Sequence, residues 1–155
     1  RTFNSSPFLL DEHLKRFVNS AKLLNLKIPY SRDQIKAAIK KLLIKNYERE
    51  AIIRLVLTGG ISQDGISYNI NLPTFFILTK PILAYDAALY KTGAKLITFE
   101  HQREIPQAKT INYLTLLKLQ NLKIKQKAIE VLYIANGTAL EGATSNFFNC
   151  KKIWN

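Results

Sequence analysis

A chain of 155 residues, 47% apolar and 22% charged, with only 6 Gly and 5 Pro, has the composition of one globular domain or of one and a half. That excludes disordered, collagen-like and low-complexity polypeptides, and the single cysteine, Cys150, excludes a disulfide scaffold and suits a reducing cytosol. No apolar run approaches the ~18 residues of a membrane-spanning helix, and Lys and Arg outnumber Asp and Glu by 23 to 11, a net charge of +12 that favours anionic partners.

The first residues, Arg1-Thr2-Phe3-Asn4, lack the charged-then-apolar pattern of a secretion signal. With no Met anywhere, the chain is expected to be a processed or truncated piece. Asp11 is placed to cap a helix over about 12–25, whose apolar face is Leu14, Phe17, Val18, Ala21 and Leu24. After Pro29, Ser31-Arg32-Asp33-Gln34 reads as a capping box. It opens a second helix with Ile35, Ala38, Ile39, Leu42 and Leu43 inward, and the two helices suggest a helical hairpin. Residues 51–58, Ala-Ile-Ile-Arg-Leu-Val-Leu-Thr, form a predicted strand closed by Gly59-Gly60. A polar loop through Asp64-Gly65 leads to a second strand over 74–78, limited by Pro81.

Residues 85–90 are ambiguous, 95–99 form a third strand, and a polar segment from Glu100 to Ala108 leads to Lys109. A helix is predicted over about 112–126 and a fourth strand over 128–134. Asn136-Gly137 signals a tight turn. The partner strand is expected to begin at Phe147-Phe148-Asn149-Cys150, with Lys151-Lys152 at the next turn. The class is α+β. A composition shift between Pro81 and Gly93 suggests a small domain over 1–85, then the start of a larger β-rich domain over 86–155.

The chemistry narrows by elimination. His13, His101 and Cys150 have no metal-site spacing, so no metal is expected. Gly59-Gly60 and Gly65 form neither a P-loop nor a dinucleotide fingerprint, and there is no nucleophile elbow. The basic residues lie in ones and twos from Lys15 to Lys152. Their densest runs, Lys36 to Lys45 and Lys118 to Lys127, fall on helical patterns, where lysine usually forms a solvated face. Lysine also predominates where bidentate readout prefers arginine. The distribution therefore argues against a nucleic-acid-binding module, which remains the rival reading.

Two segments stand out. Lys109 lies between a polar loop and a predicted helix, where partial desolvation favours the neutral, nucleophilic amine; the plainer reading is one solvent-facing lysine among many. Glu141-Gly142-Ala143-Thr144-Ser145-Asn146-Phe147-Phe148 sets a carboxylate beside small residues that would let backbone approach a flat ligand; the plainer reading is a turn with an exposed acid.

Together, Lys-Thr-Ile-Asn-Tyr-Leu at 109–114 and Glu-Gly-Ala-Thr-Ser-Asn-Phe-Phe at 141–148 resemble the class IV, fold type IV, pyridoxal-phosphate aminotransferases. That family includes branched-chain and D-amino-acid aminotransferases and aminodeoxychorismate lyase. Leu10 to Phe17 with Ser20-Ala21-Lys22 resembles its first helix, and Ile53 to Gly60 its next strand and turn. Four segments agree in order and spacing over nearly the whole chain. Gly59 stands where many relatives have arginine, and the step from Lys109 to Tyr113 is one residue shorter than in many branched-chain enzymes.

The resemblance implies pyridoxal 5'-phosphate as cofactor, held by Lys109 as a Schiff base. It implies that Arg16 binds the cofactor phosphate, that Glu141 faces the ring nitrogen, and that Tyr113 lies near the phenolic oxygen or the lysine. The implied activity is amino-group transfer between an amino acid, branched-chain first, and a 2-oxo acid. Aminodeoxychorismate lyase and D-amino-acid transamination are the alternatives within the family. It further implies a cytoplasmic homodimer without membrane association. Family members are nearly twice as long, so strands before Arg1 and a phosphate-binding portion after Asn155 are expected to be missing, and these residues alone to retain cofactor weakly.

Overall fold

The computed structural model describes residues 1–82 and 84–149. Helices and strands are mixed, in agreement with the α+β reading. The chain divides into two compact units, Arg1–Ala84 with Gln107–Thr110, and the remainder.

The first unit opens on a hairpin that the sequence does not announce. Strands β1 (Thr2–Phe3) and β2 (Ser6–Pro7) are too short to show a period, and Asn4 and Ser5 turn between them with φ of 48° and 64°. Thr2 is fully buried because its hydroxyl is satisfied twice. Oγ1 donates to the Arg49 carbonyl at 2.9 Å and accepts from the Ala51 N–H at 2.8 Å.

Helix α1 spans Leu10–Leu23, so Asp11 is not its cap. Leu9 holds the N-cap position with φ 48° and no side-chain cap bond. Asp11 sits in the first turn, where a negative charge meets the positive helix end. It pairs there with Lys36 of α2 (Arg32–Lys45). Helix α2 begins as expected: the Gln34 N–H donates to Ser31 Oγ while the Ser31 N–H donates to Gln34 Oε1. Ile35, Ile39 and Leu43 join Leu14 and Ala51 in the core, with Phe75 and Ile77 against them. Ala38, expected on this face, is exposed.

Strand β3 (Ala51–Thr58) has the predicted bounds. Strand β4 (Thr74–Pro81) runs three residues beyond Leu78, antiparallel to β3, with Ala51 opposite Pro81 and Thr58 opposite Thr74. Pro81 falls at the strand end, where a missing N–H costs least. Gly60 follows β3 at φ 84°, and a Cβ there would run into the Leu72 carbonyl oxygen.

In the second unit a short helix, α3 (Leu89–Thr92), occupies the ambiguous stretch. Strand β5 (Leu96–Glu100) pairs in parallel with β6 (Glu130–Ala135). Parallel neighbours need a long crossover, and residues 101–129 supply it, including α4 (Leu114–Lys125). Asn136 and Gly137, at φ 50° and 73°, make the expected tight turn. The partner strand is not at Phe147. It is β7 (Thr138–Gly142), directly after the turn. A two-residue turn feeds its second strand at once, and Thr-Ala-Leu-Glu-Gly has little strand propensity of its own to reveal it. Residues 147–149 are in no strand; the predicted strand continuation at Cys150 and turn at Lys151-Lys152 lie outside the described residues. Leu119, Val131, Tyr133 and Ala143 form this unit's core.

Candidate active site

Lys109 belongs to the first unit. Its segment is pinned just before the side chain. Ala108 is buried, and the Lys109 N–H donates to Oγ of Ser20 at 2.9 Å. Ser20 is itself buried on α1, one turn beyond Arg16, so Arg16 and Ser20 share a helix face. The structure thus brings two of the four candidates to one helix: Arg16 by its own position and Lys109 through its main chain. The Lys109 side chain is exposed and its ammonium has no partner among the described residues. It lies in an irregular stretch five residues before α4, not at a buried helix junction. Packing of its neighbours, rather than burial of its amine, sets its place.

Arg16 is exposed, with Nη2 3.4 Å from Nδ1 of His13. Partial burial, reinforced by the Arg16 guanidinium, lowers the pKa of His13. No described residue other than His13 engages the Arg16 fork, which suits an anionic oxygen pair.

Tyr113 and Glu141 belong to the second unit. Tyr113 is half-buried at the N-cap position of α4. Glu141 lies in β7 opposite Tyr133. Its Oε1 accepts from Nε of Arg103 at 2.7 Å, while Arg103 Nη2 donates to the Ala143 carbonyl at 2.8 Å. The guanidinium carbon is 5.7 Å from the Tyr133 ring centroid. Sequence reading missed Arg103. The available signal was composition: it is one of six arginines in a lysine-rich chain, within an otherwise unexplained polar segment.

The loop after Glu141 is organised by a second carboxylate. Glu130 accepts from the N–H and hydroxyl of Thr144, from the Ser145 hydroxyl at 3.0 Å and from the Val131 N–H at 2.9 Å. Burial pushes its carboxyl up, but these bonds outweigh burial and hold it below the usual carboxylate range. The small residues here serve the loop itself: Gly142 and Ala143 are buried, and a Cβ at Gly142 would meet Ser145 Oγ. The space expected to admit a flat ligand at Gly142 is filled by the chain's own turn.

Among the described residues no group of three or more His, Cys, Asp or Glu could hold a metal ion, and no helix is long and apolar enough to cross a membrane. The first unit offers a primary amine with no partner among the described residues and a guanidinium fork; the second, taken by itself, offers a phenol and a carboxylate whose Oε2 has no partner among the described residues. By chemistry, an amine and a guanidinium in one unit, and a phenol and a carboxylate in the other, are groups of the kind that can hold an aldehyde, a phosphate, a phenolic oxygen and a ring nitrogen. The residues present therefore fit pyridoxal 5'-phosphate.

The chain belongs to the amino-transferase class IV family, whose profile matches residues 1–152. It is 28% identical over 164 residues to the D-alanine aminotransferase of Bacillus licheniformis, an alignment covering 98% of this chain and 54% of that protein. The structure of the T.th. branched-chain amino acid aminotransferase with pyridoxamine 5'-phosphate superposes with a TM-score of 0.72 at 28% identity, over 88% of this chain and 48% of that one. A Legionella pneumophila protein provisionally named 4-amino-4-deoxychorismate lyase shares the fold, with a TM-score of 0.78 at 21% identity over 92% of this chain and 53% of that one. The chain spans about half the length of the curated relatives it matches.

Proposed function

We propose that the protein to which this chain belongs is a pyridoxal-phosphate-dependent aminotransferase that moves an amino group between an amino acid, branched-chain first, and a 2-oxo acid. The supporting observation is the anchoring of Lys109 on Ser20, one helical turn from Arg16. It joins an amine with no partner among the described residues and an anion-seeking guanidinium to one helix, in a chain of the class IV family.

When bound, the cofactor supplies an electron sink for the pair released at the substrate Cα. Lys109 would hold it through the side-chain amine and would move a proton at that carbon. Arg16 binds the phosphate, and Tyr113 meets the phenolic oxygen. Glu141 would accept a hydrogen bond from the ring nitrogen and so favour its protonated form; at an effective dielectric constant near 20, such a contact would be worth several kcal/mol before desolvation. The reading carries with it a homodimer in the cytoplasm, and the division at residues 85/86 as the boundary between a small domain and a cofactor-binding one.

D-amino-acid transamination is the second reading, favoured by the D-alanine aminotransferase of Bacillus licheniformis matching nearly the whole chain. The lyase is the third.

A substrate panel on the full-length protein tests all three: L- and D-amino acids against 2-oxoglutarate and pyruvate, and aminodeoxychorismate alone. Yellow protein whose colour borohydride bleaches, with label on Lys109 and turnover of branched-chain L-amino acids, is expected. Turnover of D-amino acids or pyruvate release from aminodeoxychorismate selects an alternative. Colourless protein whose DNA affinity falls steeply with salt returns the reading to a nucleic-acid module.

A further inference from the structure

The polar segment before Lys109 contains a residue with more structure around it than a surface arginine needs. Arg103 keeps only 16% of its side chain exposed. Its fork is used in two directions, Nε to Glu141 Oε1 at 2.7 Å and Nη2 to the Ala143 carbonyl at 2.8 Å, and its plane lies by the ring of Tyr133. Tyr133 and Glu141 are cross-strand partners, so their side chains share one face of the β6–β7 pair, and Arg103 covers that face. A Glu side chain has three rotatable bonds and loses rotamer entropy when held in one geometry. A guanidinium fixed at a neighbouring carbonyl sets that geometry in advance. It also occupies one carboxylate oxygen and leaves the other, Oε2, without a partner among the described residues.

We propose that Arg103 is a positioning residue for Glu141: it clamps one carboxylate oxygen against the backbone at Ala143 so that the other is presented, already oriented, to a protonated ring nitrogen. This rests on the reading of Glu141 given above. Lysine cannot reproduce the clamp in full, since a single ammonium lacks the planar fork that spans a carboxylate and a carbonyl. Arg103 also adds a positive charge that opposes the pull of Glu141 on the ring-nitrogen proton. Removing it therefore frees the carboxylate to turn away and alters how the ring nitrogen holds its proton.

The experiment is a double-mutant cycle on the reconstituted full-length protein, read by the visible absorption spectrum across pH and by the cofactor dissociation constant. The variants are Arg103→Met, Arg103→Lys, Glu141→Gln, and Arg103→Met combined with Glu141→Gln. Expected are a shifted pH dependence of the absorption band and at least about fivefold weaker cofactor binding in Arg103→Met. Arg103→Lys should recover part of both effects, and Arg103→Met should add nothing once Glu141 is Gln. If Glu141→Gln shifts the spectrum but the effects of Arg103→Met are the same with Glu or Gln at 141, Arg103 acts on packing alone and the positioning role is overturned. If Glu141→Gln itself leaves spectrum and affinity unchanged, the underlying reading of Glu141 fails, and the positioning role with it. Should Arg103→Met fail to fold, Arg103→Lys carries the test: a spectrum and affinity identical to the unmodified protein overturn the requirement for a two-way fork.

Discussion

The backbone N–H of Lys109 is held by the hydroxyl of Ser20, a residue 89 positions earlier in the chain. The bond fixes the main chain of an exposed lysine without touching its amine. The Cα of Lys109 thus stays where α1 puts it, while the amine is uncommitted among the described residues.

Ser20→Ala removes the acceptor and leaves the Lys109 N–H unpaired in a partly buried place. A loss of about 1–2 kcal/mol in urea unfolding is expected. Labelling of Lys109 by borohydride in the full-length protein should slow in the same variant. Unchanged stability together with unchanged labelling would show that Ser20 does not hold the lysine.

Lys109→Ala should leave the fold intact, because the side chain is exposed and has no partner among the described residues. Its urea midpoint is expected to shift by no more than the ~0.5 kcal/mol of an ordinary surface change. Turnover and covalent trapping of cofactor should both vanish. Turnover at the unmodified rate would remove Lys109 from the chemistry.

Glu130 gives the second unit a dependence on acid. Its carboxyl is depressed in the folded state, so its stabilising contribution is complete above the ordinary carboxylate value near 4.3 and fades as pH falls through the lower folded value. The amide of Thr144, which donates to Glu130, should lose protection against solvent exchange, relative to its intrinsic rate, once that range is crossed. Glu130→Gln should flatten the dependence and cost about 1 kcal/mol, a figure already reduced for the solvent that reaches this site. Protection of this amide that follows the same pH curve with Glu or Gln at 130 would contradict this.

Gly60→Ala meets two obstacles, a φ of 84° and the Leu72 carbonyl oxygen in the path of the new Cβ. Thermal unfolding should show a loss of about 2 kcal/mol or more. Gly137→Ala has φ 73° but open space around it and should lose about 1 kcal/mol. Equal costs at the two sites would mean that the contact at Leu72 relaxes freely.

Local patterns were the legible part of this molecule. The capping box at Ser31 and Gln34, the apolar run of β3 and the Asn136-Gly137 turn each carry their cause in adjacent residues, and each appears where expected. What escaped depends on partners far away in sequence. The short hairpin at Thr2 exists because its hydroxyl meets residues 49 and 51, and the Arg103 fork because β7 brings Glu141 and Ala143 within reach. The cap of α1 was misread because Leu9 adopts a left-handed backbone that no local pattern of leucines announces. At the candidate site, residue types suggested Lys109 and Glu141, but their surroundings were not readable: one amine left open, one carboxylate clamped.

The discontinuous build of the first unit has a practical consequence. The polypeptide leaves it after residue 84, comes back for Gln107–Thr110, and departs again. A gene cut after Ala84 would yield a fragment lacking residues 107–110, among them Lys109, whose N–H Ser20 accepts. Excision of a working first half therefore requires a redesigned splice carrying residues 107–110, not a shorter reading frame.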